Sequence, residues 1–512
     1  MKTKQILTAT LAVLLAGGMA QAEETTGFFD AAKAEAKYKP GDFKAAPENM
    51  ETRYGTLNFP NGFPTEETVQ KVYDELDLQR ATQLYLDMYP ALSAHGLMKG
   101  WVRDLGMNDS SYINVTADRL DSSALVLTGN TESLYAFAVF DLKEDGPTVF
   151  EVPPGVMGPL DDHNFLFVAD IGPTGKDKGQ GGKYLLLPPG YEGEVPEGYF
   201  VVQSPTYMNF SFIRANAAQV GFGDKAIKYY QDNAKVYPLK SGPRAPVVKN
   251  VSNIAWNSLV PEDGSAFEWM HEIINYEPAE AFGKELLGKL ASIGIVQGKP
   301  FNPDERLQKI FGQAAKEGVA MSRVISFDSR QPDAVVYPGL KWESPFIGNS
   351  STFDPDGYFN LEARTTFHFT ADGITPAMAM QMPEGQGSRY QTTYKDSDGN
   401  YLDGSKTYKL TMPPKVPVAL FWSVTLYDSW TRSELQSQPF PSISSQKTPA
   451  PTANADGSID IYFSSTKPKD IAEQNWIRTL PDQGFFAYIR YYGPLKPFND
   501  KTWVPNDVVL VE

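Results

Sequence analysis

The chain has no cysteine and only four histidines among its 512 residues. The first absence removes thiol nucleophiles, Cys-ligated zinc and iron–sulfur clusters as possible chemistries. It also fits an exported protein that avoids oxidative mispairing. The second absence means that a three-histidine metal site would need distant residues to converge. Basic residues are short as well: 46 Lys and Arg stand against 62 Asp and Glu, a formal net charge of −16. Nucleic acid and anionic membrane surfaces are bound through basic patches, so neither is an expected partner. No G-x-S-x-G elbow is present, which argues against an α/β-hydrolase triad. Beyond the first residues no apolar run reaches membrane-spanning length.

What the chain does have is core material and turns. Hydrophobic residues make up 41% and aromatics 12%, with 42 Gly and 39 Pro. Disorder is not indicated. At ~100–200 residues per domain, two to four domains are expected. Lys2 and Lys4, the apolar run Ile6–Leu15 and the small-residue site Ala20-Gln21-Ala22 read as a cleaved signal peptide. The mature chain then starts at Glu23 in the periplasm or outside the cell. It keeps 44 basic and 62 acidic residues, a net charge of −18.

Periodicity gives the organisation. Residues 23–64 are polar and read as an extended arm. Thr65, Glu66 and Glu67 start a helix whose row is Tyr73, Leu76, Arg80, Leu84 and Met88. Pro90–Asn114 reads as loop, and Ala124–Leu142 as two strands around a turn. In the second strand Leu134, Ala136, Ala138 and Phe140 share one face; Tyr135, Phe137, Val139 and Asp141 share the other. Pro147–Arg214 holds four or five short strands. Helical spacing then takes over in Asp224–Lys235, Ser265–Glu277 and Phe282–Ile293, and behind an Asn302 cap. Strands return after Phe327. In Val416–Asp428, Val418, Leu420, Trp422, Val424 and Leu426 alternate with Ala419, Phe421, Ser423, Thr425 and Tyr427. The predicted fold is multidomain α+β, with two antiparallel, jelly-roll-like β-sandwich modules and a helical layer between them. Its boundaries are 1–22 for the signal, 23–64 for the arm and 65–215 for the first module. The helical region covers 216–330 and the second module 331–512.

The motifs LTGNTESLYAFAVFDL (127–142) and KYLLLPPGYEGEVPEGYFVVQSPT (183–206) stand in the first module. FWSVTLYD (421–428) and Asn475-Trp476 stand in the second. As a set they resemble exported bacterial proteins that pair domain of unknown function 1254 with domain of unknown function 1214. Such members carry Asn-x-Asp-Thr before the strand tyrosine. Here the run is Asn130-Thr131-Glu132-Ser133-Leu134-Tyr135, so Glu132 replaces that Asp or its role is lost. The resemblance implies β modules around a helical layer and carries over no catalytic residue.

Candidate sites follow from side-chain chemistry. Asp161, Asp162 and His163 combine groups for divalent-metal binding or acid–base work, or they form a turn. Gly172–Lys183 matches no phosphate-binding pattern and reads as a mobile loop near a cleft. Asp396, Asp398, Asn400 and Asp403 resemble the start of a calcium loop that no glutamate closes; a hairpin turn explains them equally. His368, in a strand over Thr365–Phe369, and His271 read as packing residues. Asn130, Glu132, Tyr135 and Arg214 are polar groups of the first module. Trp422, Tyr427, Asn475, Trp476, Arg490 and Tyr491 repeat the style in the second. Arg80 stands in an apolar helical row. These residues suit a small-molecule or oligosaccharide-like ligand, or a core whose polar tips are satisfied. Two functions fit. One is an enzyme on an extracytoplasmic substrate, using carboxylate, Tyr and Arg chemistry with or without a divalent metal. The other is a non-catalytic ligand-binding or envelope protein. The pattern carries no oligomeric state.

Overall fold

The computed structural model describes residues 29, 32–33, 39, 41, 45–215 and 217–511. The signal peptide read over 1–22 lies outside the described residues. No helix among the described residues is long and apolar enough to cross a membrane. The chain forms two compact units, Met1–Lys71 and Val72–Glu512.

In the first unit, Asn49–Thr52 pairs antiparallel with Gly55–Asn58, so the arm holds a hairpin. The Thr65 hydroxyl accepts the Thr68 amide at 3.3 Å where the helix Glu66–Asp87 begins. In the second unit that helix buries Ala81, Leu84 and Tyr85, whereas Tyr73 is exposed. The buried stripe is therefore rotated from the predicted row.

The first β module has two sheets. One runs in the order Val247–Asn250, Tyr112–Val115, Leu134–Asp141, Met208–Ala215, Val156–Asp162, Phe167–Ile171. The other runs Lys235–Pro238, Thr148–Val152, Gly182–Leu187, Phe200–Gln203. Ala136, Ala138 and Phe140 pack across to Phe150, Tyr184 and Leu186. Tyr135, Phe137 and Val139 face the other way, onto Trp101 and Trp256. The alternation read from the sequence holds, but only one strand lies in Ala124–Leu142.

The second β module also has two sheets. Their orders are Ser388–Thr393, Phe485–Pro494, Val418–Asp428, Ser442–Ser444, and Trp476–Arg478, Ile459–Ser464, Tyr408–Met412, Val508–Leu510. Trp422, Val424, Leu426, Ile489 and Tyr491 share a core with Leu410, Ile461 and Phe463. The architecture is multidomain α+β with mostly antiparallel sheets.

Helices Glu66–Asp87, Ala266–Tyr276, Gly283–Ser292, Glu305–Phe327 and two others share a core around Tyr85, Phe267, Phe311 and Phe369. Both others correct the sequence reading. Tyr89–Arg103 is a helix because Pro90 sits in its first turn, where no amide is needed. Gly96 and Gly100 let the chain at 257–258 lie against it. A Cβ there would meet the Ser258 and Asn257 carbonyl oxygens at 2.3 and 2.7 Å. Leu361–Thr370 is a helix, not a strand, capped by Asn360 on the Ala363 amide. Its β-branched and aromatic residues mimic a strand, but burial on several sides suits a helix. The cap of Glu305–Phe327 is Asp304 rather than Asn302.

Candidate functional site

A cavity of about 700 Å³ opens between the two modules. Strand pairing builds its walls. In an antiparallel pair, opposed residues share a face. Arg214 is opposed by Tyr135 on one side and Met157 on the other, and all three line the cavity. Phe212 lies next along that face, 4.5 Å from Tyr135 between ring centroids. The facing wall comes from the second module. Tyr488, Arg490 and Tyr492 share one face of Phe485–Pro494. Tyr390 opposes Arg490, and Ser388 and Phe421 flank Tyr492.

Polar contacts join the walls. Arg214 donates to the Ser388 hydroxyl at 3.1 Å, with its guanidinium 5.6 Å from the Tyr492 ring centroid. Asn130 donates to the Tyr492 hydroxyl at 2.8 Å. Arg490 donates to the carbonyls of Thr128 and Gly129 at 2.7 and 3.2 Å, and Tyr427 donates to Gly129 at 2.5 Å. Arg490 is thus a clamp on the 128–130 segment. Among the described residues neither arginine makes a salt bridge. Guanidinium does not lose its charge in proteins, so each wall carries a cation without a carboxylate in direct contact, although Arg490 also feels the buried Glu434.

The acids of the cavity do not balance them. Glu132 has a fully buried side chain, accepts from Ser442 and Ser444 at 2.7 and 2.8 Å, and pairs with Lys447 at 3.3 Å. Burial pushes the Asp170 carboxyl above its usual range, against the Thr375 hydroxyl that donates to it. Burial likewise pushes Asp372 up to about 7, against hydrogen bonds from the Leu127 amide and Ser93. Asp372 follows the helix Leu361–Thr370, and Gly373 then turns the chain at φ 77.

The sequence candidates separate on this geometry. Asn130, Glu132, Tyr135, Arg214 and Arg490 line the cavity. Asp161, Asp162 and His163 do not, and their side chains diverge. Asp161 accepts the Ile374 amide at 2.9 Å and so holds the turn that carries Asp372. Asp162 accepts the amides of Asn164 and Leu166 at 2.9 and 2.8 Å, closing the turn between two strands. His163 points to His95 and Glu277. Trp422 and Tyr491 face the sandwich core, on the opposite side of their strands from the cavity. Asn475 ties Thr452 to Asp460, and Trp476 donates to the Ser464 carbonyl at 3.0 Å. Arg80 is half-buried on Glu66–Asp87, away from the cavity. Asp396 accepts the amides of Asp398 and Asn400 at 3.0 and 2.9 Å, which is a turn. Asp403 accepts from Ser405 nearby. Among the described residues no three His, Asp or Glu side chains gather into a metal-holding group. In the Gly172–Lys183 loop, Asp177 takes the amides of Gly172 and Gly181, and Pro173 and Thr174 reach the cavity.

The sequence reading missed Tyr390, Tyr492, Ser388 and Asp372. Period-2 counting from Arg490 reaches Tyr488 and Tyr492, so that signal was available. For Asp372 only tertiary placement supplies one.

Residues 109–238 match the family model described as Protein of unknown function (DUF1254), and 387–496 match Protein of unknown function (DUF1214). No curated protein matches the chain. Among solved structures, the VPA0106 protein from Vibrio parahaemolyticus is 19% identical with a TM-score of 0.50. That match covers 85% of this chain and 100% of the other, and it shows a shared fold. A putative uncharacterized protein from Burkholderia cenocepacia is 12% identical at TM-score 0.40, over 87% of this chain and 97% of its own. The two walls of the cavity thus come from two recognised domains, and the chain is one that pairs an N-terminal domain of unknown function 1254 with a C-terminal domain of unknown function 1214.

Proposed function

We propose that this chain is an extracytoplasmic enzyme that binds a small organic anion in the inter-module cavity and exchanges a proton with it through Asp372. Arg214 is the observation that carries the reading. It stands half-buried on the wall with no carboxylate partner among the described residues, and a cation partly withdrawn from water gains from a ligand that supplies one. The volume is that of a small-molecule site. Phe212, Phe346 and Phe367 offer an apolar wall for the body of the ligand, while Tyr135 and Tyr390 stand beside the guanidinium. Asp372 has a proton affinity near neutral pH, which suits an acid–base group. The leader at residues 1–22 is the basis for placing the reaction outside the cytoplasm.

The test uses 8-anilinonaphthalene-1-sulfonate, a fluorescent aromatic sulfonate, as probe. Small carboxylates are expected to displace it and neutral oligosaccharides are not. Arg214→Met should weaken the probe tenfold or more, since a hydrogen bond to a charged group contributes about 1.5–3 kcal/mol. Equal affinity in that variant, or displacement by neutral sugars, would sink the anion reading. Among displacing acids, one should be turned over by the wild type and only bound by Asp372→Asn. If the wild type leaves every such acid unchanged, the chain is a binding protein without chemistry.

A further inference from the structure

Away from the cavity, four titratable side chains form one unbroken line. His95 on Tyr89–Arg103 meets His163, in the turn after Val156–Asp162, with Nδ1 and Nε2 3.0 Å apart. The rings lie edge to edge, 21° from coplanar, with centroids 5.2 Å apart. Each outer nitrogen reaches a carboxylate. His163 Nδ1 is 2.7 Å from Glu277, and His95 Nε2 is 2.9 Å from Glu272. One end is interior and the other is wet: the Glu277 side chain is 0% exposed and that of Glu272 47%.

The protons in this line can be counted. It has three contacts, and each hydrogen bond needs one proton. A neutral imidazole brings one N–H, and an ionised carboxylate only accepts. Both carboxylates are already occupied as acceptors. Glu277 takes the amides of Tyr207 and Met208, and Glu272 takes the Lys99 ammonium at 2.6 Å. Two neutral rings would therefore leave one contact without a proton. We infer that the His95–His163 pair is a proton-binding site that holds three N–H protons, one more than two neutral imidazoles, between Glu277 and Glu272.

Lys99, Asp162 and Tyr276 are the other ionisable groups against the line, Tyr276 through Glu277. Lys99 is held by Glu272 and lies over Trp269, whose ring meets His95 edge-on at 5.3 Å. Burial pushes Asp162 up to about 7, and Glu277 pushes it the same way. Burial pushes His95 down to about 4 against the Glu272 hydrogen bond, and His163 and Lys99 push the same way as burial. A metal does not fit the gap. Two zinc–nitrogen bonds of about 2.0–2.1 Å at a tetrahedral angle separate the nitrogens by about 3.3 Å. The line ties two helices to the turn of the six-stranded sheet, so loss of the third proton removes one link of that joint. This inference does not rest on the cavity or on its ligand.

The test is nitrogen NMR of the full chain labelled with 15N-histidine at pH 7. Three of the four nitrogens of the His95–His163 pair should show a directly bonded proton. In His95→Glu a carboxylate, which only accepts, replaces the ring, so His163 keeps both of its protons. In Glu277→Gln it should fall to one. Only two bonded protons in the wild-type pair would overturn the inference. So would a stoichiometric metal in the purified protein whose chelation shifts both rings.

Discussion

Replacing Glu132 by glutamine is expected to loosen the joint between the two β modules. Glu132 belongs to the first module, and its partners Ser442, Ser444 and Lys447 belong to the second. Its side chain is fully buried, while that of Lys447 keeps 26% of its exposure. Removing one partner of a buried ion pair costs about 3–5 kcal/mol. Glutamine keeps the volume and one carbonyl acceptor. Lys447 also keeps the Ser442 carbonyl at 2.6 Å. The expected loss is therefore at the low end, about 3 kcal/mol, or roughly a hundredfold in the folded-to-unfolded ratio. Urea unfolding of wild type, Glu132→Gln, Lys447→Met and the double variant measures it. A coupling of about 1–3 kcal/mol is expected for groups in contact. The sign with pH is fixed too. Burial pushes the Glu132 carboxyl up, but Lys447 and the two serine hydroxyls outweigh it, and the net shift is downward. A depressed acid stabilises the fold above its ordinary value of 4.5 and loses that contribution as pH falls through the folded value. The gap between wild type and Glu132→Gln should hold steady from pH 6 to 8 and close in acid. Additive single variants, a cost under about 1 kcal/mol, or a gap that does not narrow as pH falls below 4.5 would refute the reasoning.

Four further outcomes are expected. Gly96→Ala should destabilise by about 1–3 kcal/mol by overpacking against the Ser258 carbonyl, although alanine favours helix by up to about 1 kcal/mol. Gly312→Ala, with open space around it, should instead stabilise by about 0.5–1 kcal/mol in the same thermal melts. Trp422→Ala should cost about 3–5 kcal/mol yet leave probe binding per folded molecule unchanged, because that ring lies in the sandwich core. Asp372 has a folded value of about 7 against an ordinary 3.8, so the folded chain binds more protons between those values. Its contribution therefore lowers stability as pH rises through that window, by up to about 1.4 kcal/mol per unit. Asp372→Asn should flatten that part of the urea stability profile, and an unchanged slope would contradict the assignment.

Local periodicity carried much of the fold. The two-faced strands Leu134–Asp141 and Val418–Asp428 were legible because one face of each is a sandwich core. The polar positions on their other faces led to Tyr135, and neighbouring strands led to Arg214 and Arg490. Reading failed where tertiary contact decides. Thr365, Thr366 and Phe367 have strand character, yet an Asn360 cap and burial make them helical. Pro90 looked like a break and is a helix start. Asn475 and Trp476 look like ligand-binding residues and instead fasten strands. His95 and His163 stand 68 positions apart, and nothing local announces that their rings touch.

The cavity has a genetic consequence. Arg214 and Tyr135 come from residues matched by one domain, and Arg490, Tyr492 and Tyr390 from residues matched by the other. Each domain therefore encodes one of the two facing strand walls, with Phe346, Phe367 and Asp372 supplied by the chain between the matched spans. A reading frame that kept only one would specify a sandwich with an exposed, unmatched arginine and no enclosed space. Shuffling either half into another gene would discard the pocket, which gives a physical reason for the two to be inherited as a single open reading frame.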